Sequence, residues 1–479
     1  MSNRHSICLI FVLFFVNAAF AEKVKPWNFP IGFWHTGMPT ISSSAKVDDW
    51  VEAGITMPYI SQTYSYYNKR ILNWTNERGI QAIICDSRTY CVNQSTSEPL
   101  WANPNDYKTV FQEAVADYCS YPANFGYLVM DEPRPNNMQQ VYEYIEIANS
   151  LDISRHRIVN FFPWYDVNTP YGSYETYSEY RNALLELHSG SGLNNLSFTS
   201  YSQMDPDYQG LGSTNGWKMF FQSLDRYGQW TDDNNKDMWV ILLSTPHVAE
   251  GNYEMPSEAA FRWQFNSAIA YGCKGVVYYT FYTLNDPMFE DGPIGKDGTK
   301  TEIFYWMKNT HQKFHKSYGN LFLNLQLVKA MQAGMAFASV PLFAPDDLIK
   351  DIKDEAGNAN YPFIVSRFTD VNNLDYVMIV NNDWNSNVIC NLSLNTNHLR
   401  LFRYDVNDTT LVSPVKFSDH CEITVELLPG EEVVYRIEKC SDTLLNGDLN
   451  SDCYVNYDDL VILIQGWLSC GDVFNSNCN

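Results

Sequence analysis

The sequence predicts an α/β fold in which a (β/α)8 barrel is followed by an all-β sandwich and a small helical repeat. Three observations predict it. From Pro30 to about residue 320, eight short apolar runs alternate with segments of helical periodicity. From about Leu321 to Cys440 the pattern changes to extended runs separated by Asn, Asp and Gly turns. After Cys440 an acidic loop leads into one apolar helix face. The expected segments are therefore 1–21 (a leader), 22–320 (the barrel), 321–440 (the sandwich) and 441–479 (the repeat).

The leader carries Arg4 and His5, then an apolar run from Ile7 to Val16, then Ala19-Phe20-Ala21. That order reads as a secretory signal peptide cut after Ala21. No later run approaches the eighteen or so unbroken apolar residues of a membrane span, so the expected mature chain is exported and soluble. The net charge is −23, and loss of Arg4 with the leader takes it to −24. Such acidity opposes encounter with nucleic acid and with anionic membranes. Of eleven cysteines, Cys8 lies in the leader. No CxxC pair suggests zinc, Cys85 with Cys91 and Cys470 with Cys478 are the nearest candidates for disulfides, and Cys273 is expected as a buried thiol.

The eight expected strands are Ile31 to His35, Ile55 to Ile60, Ile80 to Asp86, Phe125 to Glu132, Arg157 to Phe162, Leu196 to Tyr201, Met238 to Ser244 and Gly275 to Phe281. Eight strands interleaved with helices over this length suit a closed barrel. An open doubly wound sheet is the alternative, but no GxGxxG or phosphate loop follows any strand. The fourth strand organises the rest. Phe125-Gly126-Tyr127-Leu128-Val129-Met130 is a run covered on both faces, and it ends abruptly in Asp131-Glu132-Pro133-Arg134-Pro135. The prolines stop the ladder because they have no N–H to give it. Tyr107, Val110, Phe111, Ala114, Val115 and Tyr118 precede it at helical spacing. Val141, Tyr144, Ile145, Ala148 and Leu151 follow it, behind a cap at Asn136 or Asn137.

A buried strand ending in Asp-Glu-Pro resembles the fourth barrel strand of the TIM-barrel glycoside hydrolases related to clan A. The resemblance implies that Glu132 is the general acid/base. Asp131 is then expected to orient it, since adjacent strand residues point to opposite sides. If the barrel closes, the strand ends converge on a rim of Trp34, His35, Gln62, Asp86, Arg88, Asp131, Glu132, Trp164, Asp166, Tyr201, His247, Tyr279 and Tyr282. Of these Trp34, His35, Asp86, Trp164, Tyr201, His247 and Tyr279 are the candidate substrate contacts. Aromatic faces stack on the C–H faces of sugar rings, while carboxylates and imidazole bond hydroxyls.

Glycoside hydrolysis needs a second carboxylate, and in clan A enzymes a Glu ends the seventh strand. Here that strand ends Leu243-Ser244-Thr245-Pro246-His247. Glu250 is the expected partner, with Glu254 and Asp166 as alternatives; Glu258 reads instead as a first-turn helix carboxylate. The missing Glu also admits a second reading, a carbohydrate-binding barrel that has lost its nucleophile.

Val425-Glu426-Leu427-Leu428-Pro429-Gly430-Glu431-Glu432-Val433-Val434-Tyr435 resembles the final strands of sandwich domains that follow many glycosidase barrels, and a packing role is expected. In the tail, Asp448, Asn450, Asp452, Tyr454 (through its carbonyl), Asn456 and Asp459 occupy positions 1, 3, 5, 7, 9 and 12 of a loop. Oxygen donors at that spacing wrap a hard cation, and Ca2+ matches. Followed by Leu460, Ile462, Leu463 and Trp467, the loop resembles a dockerin type I repeat. The resemblance implies structural Ca2+, no cofactor for catalysis, and a cohesin-like or cell-surface partner. It departs from the pattern in Cys453, where Gly is usual, and in having one repeat rather than two.

Overall fold

A computed structural model describes residues 23–91, 100–101, 103–164, 170–202, 216–249, 252–255, 257–334, 340–406, 408–440, 447–449, 455 and 457–469. Its first body is the barrel. The strands are β1 (Ile31–Phe33), β2 (Tyr59–Ile60), β3 (Ala82–Ile84), β4 (Asn124–Asp131), β5 (His156–Phe161), β6 (Asn195–Thr199), β7 (Asp237–Leu243) and β8 (Gly275–Tyr279). They alternate with α1 (Ala45–Glu52), α2 (Ser65–Glu77), α3 (Pro104–Tyr118), α4 (Met138–Leu151), α5 (Tyr177–Gly190), α6 (Gly216–Asp233), α7 (Glu258–Ala270) and α8 (Glu302–Ser317).

All eight expected strands are present and parallel, in the order β1-β8-β7-β6-β5-β4-β3-β2. The ring is completed between β1 and β2 by the N–H groups of Thr56 and Met57, which donate to Ile31 O at 2.8 and 2.9 Å. That explains one difference from the sequence reading. Ile55 to Ile60 was expected as one strand, but Thr56 and Met57 spend their amides on β1, and only Tyr59–Ile60 pairs with β3. The helices follow their periodicity: Tyr107, Phe111, Ala114 and Tyr118 are the buried face of α3, and Ser257 caps α7 by accepting from the Ala260 N–H at 3.1 Å.

Two hydrophobic layers result. The interior of the barrel is filled by Tyr59, Ile83, Phe125, Leu128, Ile158, Trp239, Ile241 and Val277, so it is a packed core rather than a pore. The larger layer between strands and helices holds Tyr127, Val129, Phe161, Phe198, Val240 and Tyr278. β4 carries two register shifts, one against β3 before Gly126 and one against β5 between Leu128 and Met130. Bulges of this kind re-aim side chains, and here the strand that ends in the two carboxylates is the one that bends.

After a short α9 (Gly319–Asn324), the chain enters the sandwich at β9 (Gln326–Ala333), followed by β10 (Ile349–Asp354), β11 (Phe363–Thr369), β12 (Asp375–Asn381), β13 (Val388–Leu394), β14 (Leu399–Asp405), β15 (Asp408–Val412), β16 (Val415–Lys416), β17 (Cys421–Leu427) and β18 (Glu432–Lys439). One sheet runs β10-β13-β17-β16 and the other β15-β14-β18-β12-β11-β9, all antiparallel. The turn between β17 and β18 docks on the barrel, as its expected packing role requires. Arg262 donates to Pro429 O at 2.5 Å, Asn266 to Gly430 O at 2.9 Å, and Trp263 Nε1 to Asn382 Oδ1 at 2.7 Å. Lys313 adds ion pairs to Glu431 and Glu432 at 2.9 and 3.0 Å.

The cysteines depart from expectation at one pair. Cys85 and Cys91 are both free thiols. Cys85 faces the barrel interior, whereas Cys91 joins the helix-side layer, where its N–H bonds Val129 O; the β-sheet wall stands between them. Cys273 is a buried thiol, as read. Cys440 is disulfide-bonded, and the expected pair Cys470 and Cys478 lies outside the described residues. In the tail, α10 (Tyr457–Ser469) follows the acidic loop, and no described helix is long and apolar enough to cross a membrane.

Candidate active site

Alternation along β4 and β5 decides what the strand ends present. Asp131 is in register with Asn160 of β5. Asn160 is fully buried, and its Nδ2 donates to Asp131 Oδ1 and to Thr199 Oγ1, both at 2.8 Å, while its Oδ1 accepts from Ser197 Oγ at 2.9 Å. One amide thus ties β4, β5 and β6 together beneath the rim. The Asp131 charge reaches Tyr59, Cys85 and Tyr90 on one side and Tyr201 on the other.

Glu132 follows with φ at +49°, donating its N–H to Asn160 O at 2.7 Å. Only two other non-glycine residues among those described have positive φ, and both are Asn, which tolerates that region. A glutamate held there carries on the order of 1 kcal/mol of backbone strain. The turn sends the Glu132 charge toward Tyr171, Tyr180, Tyr201 and Tyr227. The Tyr180 hydroxyl donates to Pro133 O, and Tyr227 donates to Phe162 O at 2.9 Å, so this wall is fastened to the loops after β4 and β5. Tyr201 feels both carboxylates. Burial raises its pKa most, followed by Tyr279, Glu132, Tyr253 and Asp131, so its hydroxyl stays protonated.

Around Tyr201 the predicted aromatic rim assembles. Tyr279 stacks on it at 5.9 Å and 29°, and His247 and Tyr253 meet it edge-on at 6.0 and 5.2 Å. His247 lies flat on Phe289 at 4.9 Å, with Nδ1 2.9 Å from Thr245 O. On the β1 side, Trp34 packs on Tyr59 at 5.3 Å and on His35 at 5.4 Å, and His35 Nε2 bonds the Tyr90 hydroxyl at 2.8 Å. Burial holds the pKa of His35 down to about 4, so the ring is neutral at pH 7.

Asp131, Glu132, Trp34, His35, Tyr201, His247 and Tyr279 therefore belong to one arc. Other predicted residues have different work. The Asp86 carboxylate accepts from Arg88 at 3.0 and 2.8 Å and from the Tyr118 hydroxyl at 2.6 Å. Burial pushes its pKa up, but those donors outweigh burial and the net shift is down. Trp164 is covered by the Arg181 guanidinium 3.4 Å from its ring and meets Tyr227 at 5.2 Å. Gln62 bonds Pro39 O and the Ile41 N–H, and the Tyr282 hydroxyl accepts from Trp50 Nε1. Glu254 is exposed, while Glu250 and Asp166 lie outside the described residues.

The sequence reading passed over Asn160, Tyr59, Tyr90 and Tyr253. Asn160 had a signal: an amide inside the apolar run Ile158-Val159-Asn160-Phe161 is a residue that strands normally exclude. Replacing it by Ala is expected to cost about 2 kcal/mol of stability and to lower kcat about 10- to 100-fold, with a displaced pH–rate profile, because buried Ser197 and half-buried Asp131 and Thr199 lose a partner. Urea unfolding and steady-state kinetics over pH check both; unchanged kinetics would make the network purely structural. A cavity of about 550 Å3, lined by Asp232, Asp237 and Lys274, opens at the opposite, N-terminal ends of the strands. That end of a barrel serves stability, so the rim above is the candidate site.

No family model matches the chain, and no curated protein matches its sequence. Solved structures do match in shape. A glycoside hydrolase family 5 protein from Bacteroides vulgatus superposes with a TM-score of 0.50 at 12% identity, covering 86% of this chain and 89% of the other. A second structure, described as a glycoside hydrolase, gives a TM-score of 0.50 at 10% identity, covering 87% of this chain and 93% of the other. At such identities the likeness speaks for the fold, which is one that glycoside hydrolases use.

Proposed function

We propose that this chain is an exported glycoside hydrolase that cleaves a polysaccharide or oligosaccharide, with Glu132 as acid/base and Asp131 as its positioning neighbour. The observation that carries the reading is the pair of carboxylates at the end of β4, one in a left-handed turn, both acting on Tyr201 in an aromatic rim. Protonated Glu132 would donate to the leaving glycosidic oxygen, which departs with the bonding electron pair, and the sugar left at the broken bond would carry positive charge at its anomeric carbon and ring oxygen until the second carboxylate or a water bonds it. Asp131, held by Asn160, keeps negative potential beneath that charge. Neutral His35 and the Tyr201 hydroxyl are suited to bonding sugar hydroxyls without competing for the catalytic proton.

Glu250 is the proposed second carboxylate. His247 and Tyr253, which flank it, exchange backbone hydrogen bonds at 3.0 and 2.9 Å and both pack on Tyr201. Both residues stand at the rim that Glu132 faces. Export is supported by the disulfide at Cys440, since such bonds persist in oxidising compartments. The rival reading, a binding barrel without a nucleophile, draws on the end of β7, where the Ser244 and Thr245 hydroxyls both bond Thr280 O at 2.8 Å. Reducing-end release from neutral polysaccharides by the parent and by Glu132→Gln separates the two. Loss of release with retained sugar binding supports hydrolysis, and equal binding with no release by either protein supports the rival.

The tail is proposed to hold a structural Ca2+ through Asp448, Asn450, Asp452, the Tyr454 carbonyl, Asn456 and Asp459. What fits is the last ligand: Asp459 is 3% exposed, and its Oδ1 accepts the Leu449 N–H at 2.6 Å, folding the end of the loop back on its start. The exposed apolar residues Leu460, Ile462, Leu463 and Ile464 on α10 suit a cohesin-like or cell-surface partner. Calorimetric titration with Ca2+ is expected to show one site that Asp459→Ala abolishes, and EGTA is expected to make the chain beyond Cys440 protease-sensitive while the rest resists. Equal heats for parent and variant would remove the site.

A further inference from the structure

We propose that the start of α2 is a stacking platform for a neutral polysaccharide, a subsite outside the cleft that makes this enzyme's substrate a long chain. The inference rests on the hydrolase reading for its substrate class. Tyr64 and Tyr66 are 60% and 49% exposed, among the most exposed aromatic side chains of the described chain. They stack on each other with ring centroids 5.7 Å apart and planes 18° apart, and Tyr66 meets Tyr67 at 4.1 Å. An aromatic stack left in water is an unfavourable surface unless something covers it.

The stack continues along the helix. Tyr66, Arg70 and Trp74 are spaced by four, so they share one face of α2, and the Arg70 guanidinium lies 4.9 Å from the Trp74 ring centre. The stripe runs about 12 Å at the helical rise per residue. Its upper end lies on the face of the barrel that bears the cleft. Tyr64 lies just past the carboxyl end of β2, on the face of the barrel that carries Asp131 and Glu132. Gln62 bonds Pro39 O at 3.1 Å and the Ile41 N–H at 3.0 Å, and Arg70 bonds Ser42 O at 3.4 Å. The platform is therefore braced against the loop that begins with Trp34 and His35.

The occupant follows from chemistry. Flat rings beside hydroxyl-bonding donors match the C–H faces and hydroxyls of sugars. The net charge of −23 repels a uronic or sulfated chain. Two strand spacings separate β2 from β4 and, at right angles to them, a helix diameter separates strand from outer stripe, so the outer stripe lies on the order of 15 Å from Glu132. A disaccharide in the cleft cannot reach it, and a polymer can.

The test uses Glu132→Gln protein, which keeps the polymer intact, with and without Tyr64→Ala and Tyr66→Ala. Affinity electrophoresis through gels containing glucan, xylan, mannan or galactan is expected to show retardation by one neutral polymer, weakened about tenfold by the tyrosine changes. Tyr64→Phe and Tyr66→Phe are expected to restore it, since the ring rather than the hydroxyl does the stacking. In the Glu132 background, kcat/KM on that polymer should fall about tenfold while an aryl glycoside stays within about twofold. Equal retardation of all variants, retardation by no neutral polymer, or equal loss on polymer and aryl glycoside would each overturn the platform. Hydrolysis that survives Glu132→Gln while the tyrosine changes still weaken binding would overturn the catalytic assignment and leave the platform standing.

Discussion

Glu132→Gln is expected to lower kcat by about 1,000-fold or more on any glycoside that the parent cleaves, with KM and unfolding midpoint nearly unchanged. The amide keeps the size and shape of the side chain and one acceptor oxygen, but its NH2 is not acidic enough to transfer a proton at neutral pH. The backbone makes the prediction sharper. Glu132 sits at φ +49°, where a residue other than Gly, Asn or Asp is disfavoured. If packing alone chose the residue, glycine would serve better. Glu132→Gly is therefore expected to be as inactive as Glu132→Gln yet to unfold no earlier than the parent, and up to ~1 kcal/mol later. The pair of measurements separates function from folding. A kcat within tenfold of the parent for the Gln variant removes Glu132 from the mechanism, and a Gly variant that unfolds well below the parent removes strain from the account.

How far the sequence carries the fold can be judged from β2 and β4. Each apolar run was visible because a barrel strand is buried on both faces and reads as a continuous block. What the block conceals is where the ladder starts. Ile55 to Met57 look like strand, but Ile55 spends its amide on Trp50 O at the end of α1, and Thr56 and Met57 spend theirs closing the ring on Ile31. In β4 the two acids are legible in the sequence and the two register shifts beside them are not, since a bulge leaves the composition of a run unchanged.

The site was legible where one residue type has one use. Tyr201, His247 and Tyr279 end neighbouring strands, and topology alone brings them together. Asp86 misled because a carboxylate at a strand end serves a cleft or an ion pair equally well, and Arg88, two residues on, had already claimed it. Tyr90 and Tyr253 were hidden in loops, whose paths no periodicity records. Tyr59 was hidden for the opposite reason, as one more aromatic in a buried strand.

Lowering the pH from 7 to 5 is expected to remove about 4 kcal/mol of stability through two histidines far from the rim. His188 and His311 are fully buried. In each ring one nitrogen faces a backbone carbonyl and must carry the proton: His188 Nε2 to Asn195 O and His311 Nδ1 to Ala53 O, both at 2.9 Å. The other nitrogen then accepts from a tyrosine, Tyr142 at 2.8 Å and Tyr278 at 3.0 Å. A second proton would turn that acceptor into a donor and place a cation in the core. Burial accordingly holds both pKa values down to about 3, helped at His188 by the charge of Lys236 and opposed in both by the carbonyl. The unfolded chain takes up protons near pH 6.5 and the folded one does not. Stability is thus complete above about 6.5 and falls by ~1.4 kcal/mol per histidine for each unit below it. His35, His156 and His315, which burial also holds down, add to the loss, while Asp225, Asp232 and Asp237, whose pKa values burial raises, act in the opposite sense, so the share of one ring must be read from a variant. Urea unfolding of His311→Gln is expected to show lower stability at pH 7 but a loss between pH 7 and 5 about 2 kcal/mol smaller than the parent's. A variant with the parent's full loss would mean that the His311 ring accepts the second proton in place.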